Sequence, residues 1–267
     1  MSHQFFATHP VFTADEFGDF LESRGSSSPS TRKTLLTRRE KAGELLRIRR
    51  GLYATVPVGV NPADAPIDPY LVASRMVSDA VLGYHTALEF HGKAHSVFEV
   101  FQFLTGRAAR PVFFRSYRFD PVLFPKPLRN HKSETFGVTL ANRGGLELRV
   151  TNLDRTLVDI LDRPDLGGGW EEIWRSLESI EFFALEEVVE YALLLDNSTT
   201  IAKVGFFLDQ HRDALMVGDE QLRRLREHRP KKPHYLSRNN EGPARLVSDW
   251  NLVVPESILR RSWTEVL

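Results

Sequence analysis

Phe17, Phe20 and Leu21 recur at i, i+3 and i+4 among acidic and small residues, the spacing of one apolar stripe on a helix. The start of that helix is written just upstream. Thr13 can accept the Glu16 backbone N–H while Glu16 reaches back, and Phe12 before the cap can meet Phe17, which together make a capping box and a hydrophobic staple. Gly25 and three serines break the helix, and Ser28-Pro29 opens another, because Pro at the first helical position gives up an N–H that has no partner there. This second helix should run to about Lys41 and close at Gly43. From Leu45 to Val56, two β-prone runs flank an Arg49-Arg50-Gly51 turn. Helix, turn, basic helix, hairpin is the order of a winged helix-turn-helix.

Val56 to Pro69 carries Pro57, Gly59, Pro62, Pro66 and Pro69 with little periodicity and reads as a linker. Beyond it, Tyr70 to Met76 and His85 to Phe90 read as helices. Ser96 to Leu104, Pro111 to Phe119, and Phe136 to Leu140 paired with Leu146 to Val150 read as strands. Helical spacing follows in Asp154 to Leu161, Trp170 to Leu177, Leu185 to Leu195, Ile201 to His211 and Asp219 to His228. The pattern predicts an α+β protein: a winged helix-turn-helix domain with its linker over residues 1–66, then a mixed α/β domain over 67–267 with strands first and helices after. No internal repeat is evident.

The 267 residues, 42% hydrophobic with 28 aromatics, can bury a sizeable core. There is no cysteine, which excludes disulfides, thiolate metal sites and thiol nucleophiles. The N-terminus lacks the basic start and apolar core of a secretory signal, and no apolar run is long enough to span a bilayer. A cytoplasmic protein without a membrane partner is expected. Net charge is zero, but its distribution is uneven. Between Arg24 and Arg50, nine Lys or Arg stand against Glu40 and Glu44, a net of +7, whereas Asp154 to Asp196 holds twelve acids against three arginines, a net of −9. One part of the chain is suited to an anion and the other is not.

At 100° per residue, Leu35, Leu36 and Ala42 define the buried side of the basic helix. Ser30, Lys33, Thr34, Thr37 and Lys41 then fall on the opposite face, with Arg38 flanking it. Hydroxyls and cations are what base edges and phosphates require. Arg32 and Arg39 fall near the buried side and must snorkel to its edge, and Arg39 stands where a helix-turn-helix has an apolar residue. Arg47, Arg49 and Arg50 on the neighbouring turn make a wing that can enter a minor groove or hold phosphates. Taken alone the basic helix could equally be a solvated face; the adjoining hairpin favours the DNA reading.

Other candidate chemistry is weaker. His85, His91 and His95 lack the helical metal-site spacing and suit capping and core roles better. Gly167-Gly168-Gly169 precedes Trp-Glu-Glu, not Lys-Ser/Thr, so it reads as a turn. Asp154, Asp159, Asp162 and Asp165 could suggest magnesium, yet Asn152 or Asp154 as a cap and Leu153, Leu157, Ile160 and Leu161 as a buried face explain the stretch. A nuclease of the Asp…Glu-x-Lys type would need a lysine where Glu147-x-Arg149 stands, and arginine stays protonated. No catalytic residue, metal or cofactor is expected.

Four stretches, Leu46-Arg-Ile-Arg-Arg-Gly-Leu-Tyr53, Asp68-Pro-Tyr-Leu-Val-Ala-Ser74, Tyr84-His-Thr-Ala-Leu-Glu-Phe-His-Gly92 and Asn152 to Leu166, resemble in order and spacing the AbiEi antitoxins of type IV toxin–antitoxin, or abortive-infection, systems. The resemblance covers about Thr13 to Leu208. It implies a winged-helix domain that binds double-stranded operator DNA and represses its own operon, and a C-terminal domain that counters a nucleotidyltransferase-like toxin, bound directly or not. The DNA-contacting elements carry over onto Ser30, Thr31, Arg32, Lys33, Thr34, Thr37, Arg38 and Lys41 of the helix and Arg47, Arg49 and Arg50 of the wing. The tail after His211, with its basic Arg223 to Arg238 stretch, extends beyond the resemblance. Two alternatives stay open: a regulator of this architecture with no toxin partner, and an enzyme, either a nuclease or a transferase acting on the toxin.

Overall fold

The computed structural model describes residues 2–25, 28–237 and 242–261. Ser26 and Ser27 of the expected helix break, and Arg238 of the basic tail, lie outside them. The chain divides into two compact units: residues 1–82, 99–123 and 140–150 form the first, and 83–98, 124–139 and 151–267 the second. No helix among the described residues is long and apolar enough to cross a membrane.

Unit 1 opens with α1 (Ser2–Thr8), β1 (Val11–Thr13), α2 (Ala14–Ser23), α3 (Pro29–Lys41), β2 (Leu45–Arg49) and β3 (Leu52–Thr55). The capping box forms as the sequence predicts: Glu16 N–H donates to the Thr13 hydroxyl at 3.1 Å and Thr13 N–H to the Glu16 carboxylate at 2.5 Å. Pro29 takes the first position of α3, and Gly43 leaves it at φ +71°. β1, β3 and β2 make an antiparallel sheet in that order, with β1 paired Val11 to Ala54 and Thr13 to Leu52. α1 and β1 were not legible in the chain pattern. Both serve one aromatic cluster, in which Phe5, Phe6, Phe12 and Phe17 pack ring against ring at 5.1–6.1 Å beside Leu36 and Leu45. Ala42, expected on the buried side of α3, is exposed, and Leu35 is half-buried; Leu36 alone is fully buried on that helix.

Arg39 accounts for its unusual place. Its guanidinium lies 4.5 Å over the Phe6 ring and pairs with Glu44, so a cation covers the edge of the aromatic cluster where an apolar side chain was expected. The Pro-rich segment is fastened as well. Ala65 is fully buried, and the Arg115 guanidinium donates to the carbonyls of Ala65 and Pro62 at 2.6 and 2.7 Å. Residues 1–66 thus lie within unit 1 together with α4 (Pro69–Ser74), whose N-cap Asp68 accepts Tyr70 N–H at 3.0 Å.

Most of the rest of unit 1 belongs to a six-stranded mixed sheet. Its strands are β4 (Val81–Leu82), β5 (Val100–Thr105), β6 (Val112–Phe114), β7 (Tyr117–Leu123), β8 (Val138–Arg143) and β9 (Leu146–Thr151), in the order β6-β7-β5-β4-β9-β8. β5 runs parallel to β7 with Phe101 opposite Phe119. Pro111 to Phe119 is not the single strand its composition suggests. Arg115 sits at φ +55° and turns the chain, so that β6 pairs back on β7; its side-chain bonds to Pro62 and Ala65 hold a turn that has no glycine. Ser96 to Phe98 stays outside the predicted strand, because the N–H groups of Ser96 and Phe98 donate to the carboxylates of Glu172 and Glu89 instead of to a ladder.

Unit 2 holds α5 (Tyr84–Phe90), α6 (Lys126–His131), α7 (Leu153–Asp162), α8 (Trp170–Glu178), α9 (Leu185–Leu194), α10 (Ser198–Gln210) and α11 (Asp219–Glu227). Asn152 caps α7 by accepting Arg155 N–H at 2.9 Å. α7 is more buried than its apolar stripe predicts: Arg155, Thr156 and Asp159 lie in the core beside Leu157, Ile160 and Leu161. The Arg155 guanidinium donates to Asp159 at 3.1 Å and to the carbonyls of Glu134 and Phe136 at 2.8 and 2.7 Å, and Tyr191 O–H donates to the other Asp159 oxygen at 2.6 Å. Burial and the Asp159 charge push the Tyr191 phenol well above its ordinary value, which keeps the donated proton in place. Strands return after the helices, against the expected order. β10 (His234–Tyr235), β11 (Ala244–Val247) and β12 (Leu252–Pro255) form a small sheet ahead of α12 (Glu256–Leu259), and Trp250 packs so closely on Gly205 of α10 that no Cβ could stand there.

Two stability predictions follow from these contacts. Arg155→Met leaves a buried carboxylate without its cation and two carbonyls unpartnered and should cost about 3–5 kcal/mol, against about 1–3 kcal/mol for Tyr191→Phe, in urea unfolding followed by tryptophan fluorescence. A cost for Arg155→Met no larger than for Tyr191→Phe would show that the guanidinium is not the tie. In unit 1, Arg39→Ala should cost about 1–2 kcal/mol and Arg39→Met less, since the longer side chain keeps contact with Phe6. Exposed Lys33→Ala should stay within about 0.5 kcal/mol; equal losses at the two positions would contradict the packed role of Arg39.

Candidate nucleic-acid interface

On α3, Ser30, Lys33, Thr34, Thr37, Arg38 and Lys41 line one shallow recess of about 550 Å³. All six are exposed, as is Thr31 on its flank. They form a continuous face because Leu36 turns the opposite side into the aromatic cluster and the i, i+3, i+4 spacing then fixes what points away. Arg38 and Lys41 also occupy the last turn, where cations complement the helix dipole.

Not every predicted cation joins this face. Arg32 donates to Asp15 at 3.0 Å and to the Ala14 carbonyl at 3.2 Å, which ties α3 to the start of α2. On the hairpin, β2 pairs with β3, with a bulge between Arg47 and Arg49, and Gly51 turns the chain at φ +81°. Arg47 and Arg50 are exposed. Arg49 is exposed too, and donates to the Met76 carbonyl within unit 1. The structure therefore gathers nine of the predicted residues outward, on the α3 face and its flank and at Arg47 and Arg50, and engages Arg32 and Arg49 with neighbouring chain.

The other candidate groups disperse. His85 is fully buried and stacked on Phe98 at 4.0 Å, with Nδ1 3.2 Å from Glu89 and Nε2 3.0 Å from Glu172. The Glu172 carboxyl, which burial alone would raise, is held below its usual range by the Ser96 N–H and His85. His91 bonds the Thr151 carbonyl at 2.8 Å, and His95 offers its backbone N–H to Ser176. The four aspartates likewise serve different partners. Asp154 accepts Ala184 N–H at the start of α9, Asp159 pairs with Arg155, Asp162 accepts the Thr200 hydroxyl, and Asp165 pairs with Arg163. Among the described residues no group of three or more His, Asp or Glu is placed to hold a metal ion. In the glycine run, a Cβ on Gly167 would strike Ile173 and one on Gly168 would strike Phe98, so close packing demands these glycines. The buried ties of Tyr84 to Gly92 and of α7 escape a periodicity argument because partners such as Glu172 and Tyr191 lie 87 and 32 residues away.

No curated protein matches the chain. Among solved structures, the crystal structure of the RV2827C protein from Mycobacterium tuberculosis is similar over 94% of this chain and 89% of that one, with a TM-score of 0.59 at 17% identity. That likeness is one of fold. Residues 4–56, which run from α1 to the end of β3, match the family model described as "Transcriptional regulator, AbiEi antitoxin".

Proposed function

We propose that the protein is the DNA-binding autorepressor and antitoxin of a type IV toxin–antitoxin system. Residues 1–66 act as a winged helix-turn-helix module on double-stranded operator DNA, with α3 as reader and β2–β3 as wing. Residues 67–267 act against a nucleotidyltransferase-like toxin. The observation that carries the DNA reading is the outward face of α3, where hydroxyls and cations share one recess while the apolar side is spent on the aromatic cluster. Thr and Ser hydroxyls and Lys33 suit base edges in a major groove; Arg38, Lys41, Arg47 and Arg50 suit phosphates. What supports the antitoxin half of the proposal is the description of the family model that residues 4–56 match.

The test uses the full chain in fluorescence anisotropy with operator and random duplexes. Affinity should fall with salt at a log–log slope of about −4 to −5, which corresponds to about four to six phosphates neutralised. Arg47→Ala and Arg50→Ala should weaken all duplexes alike, whereas Lys33→Ala and Thr37→Ala should alter site preference, each lost base contact being worth about 1–3 kcal/mol. Salt-independent binding, or the reverse pattern among these variants, would sink the assignment. In cells co-expressing a cognate nucleotidyltransferase-like toxin, a Lys33→Ala, Thr37→Ala, Arg50→Ala protein should lose operon repression and still rescue growth. Loss of rescue together with repression would mean that protection acts through repression alone.

A further inference from the structure

Within unit 1, the 49–51 turn of the hairpin, the start of α2, the segment Ser74 to Ser78 and the Glu147–Arg149 stretch of β9 enclose a cleft of about 550 Å³. Four arginines line it: Arg49, Arg50, Arg75 and Arg149. Two of them are held by backbone carbonyls two residues apart. Arg49 donates to the Met76 carbonyl, and Arg149 to the Ser78 carbonyl at 2.5 Å. A carbonyl fixes a guanidinium without neutralising it, and each guanidinium has five N–H donors of which one is thereby used. Among the described residues neither arginine forms an ion pair.

The acids on the walls are largely committed elsewhere. Asp15 is paired with Arg32 at 3.0 Å. Glu16 takes the Thr13 N–H with one oxygen and Arg75 with the other, the latter at 3.2 Å. Arg75, its side chain only 9% exposed, is further fixed by Ser74 at 3.1 Å. What is left is Arg49, Arg50 and Arg149 against Glu147, in a recess where the fold pre-orients Arg49 and Arg149. Guanidinium forks match the geometry and charge of a phosphate group, and pre-fixed side chains lose little entropy on binding.

We propose that this cleft binds a phosphate group at the base of the wing, with Arg149 and Arg50 as its principal donors. Arg75 and Arg149 lie outside the 4–56 segment, so the site would extend anion recognition from the hairpin into the body of unit 1. The phosphate can come from the DNA backbone or from a free phosphorylated molecule. The DNA source rests on the function proposed above; the phosphate site itself does not.

The experiment titrates pyrophosphate into the full-length protein by calorimetry at low salt, and measures the DNA salt slope for the same variants. Wild type should bind one pyrophosphate saturably, and Arg149→Gln should weaken that binding by about tenfold or more, consistent with loss of a charged hydrogen bond. Arg149→Lys should fall between them. Lys232→Gln, which removes the same charge from unit 2, should bind as wild type does. If the phosphate is DNA's, Arg149→Gln should also reduce the magnitude of the salt slope by about 0.9; an unchanged slope with lost pyrophosphate binding assigns the site to a free phosphorylated molecule. Equal pyrophosphate binding by Arg149→Gln and Lys232→Gln, or no saturable binding by wild type, overturns the site. A wild-type protein that binds pyrophosphate in this way but no duplex overturns the repressor reading alone.

Discussion

Helix α3 buries only Leu36 completely among its thirteen residues, and everything proposed for its outer face depends on how that one side is docked. A short helix gains its stability from tertiary packing of an apolar face more than from propensity, and α3 has little apolar face to offer. The deficit is met from outside. Phe5 and Phe6 of α1, Phe12 of β1 and Phe17 of α2 assemble a ring-on-ring cluster that receives Leu36, and Arg39 closes its edge over Phe6. The price of such a thin attachment is dependence on residues far from the helix, and the benefit is that eight of the other twelve residues stay exposed.

The same arrangement sorts the cations of the basic stretch by role. Summed charge predicts only that residues 24–50 suit an anion. Packing divides them into Arg32, Arg39 and Arg49, which hold the fold together through Asp15, Phe6 with Glu44, and the Met76 carbonyl, and Lys33, Arg38, Lys41, Arg47 and Arg50, which stand outward. A basic run is therefore both scaffold and surface.

Unit 2 reaches its order by a different route. Its core keeps charged groups, and a buried charge is tolerated only where its hydrogen bonds are met. Arg155 meets Asp159 and two carbonyls of the segment before β8, and Tyr191 completes the carboxylate. Around His85, Glu89 and Glu172 receive the backbone N–H groups of Phe98 and Ser96. The polar residues of Tyr84 to Gly92 and Asn152 to Leu166, which carry much of the resemblance to the AbiEi antitoxins, thus act as fasteners between distant segments. Asp154 and Asp162 extend the pattern to the starts of α9 and α10.

Features decided within a few residues were legible along the chain: the Thr13–Glu16 capping box, the Ser28-Pro29 start of α3, the Gly43 stop, the Gly51 turn and the Asn152 cap all depend on hydrogen bonds or backbone angles that close locally. The outward face of α3 was legible for the same reason, since helical spacing is itself local. What the tertiary structure decided are the matters of distant partnership. β1 exists because β3 lies some forty residues on, Arg115 can turn Pro111 to Phe119 into a hairpin because Pro62 and Ala65 offer carbonyls, and the tail becomes a sheet beside Trp250 and Gly205. Whether an arginine binds outward or inward belongs to this second class, because a guanidinium on a flexible stem takes its place from whichever carbonyl, ring or carboxylate the fold brings within reach, and that is set by contacts no window of neighbouring residues contains.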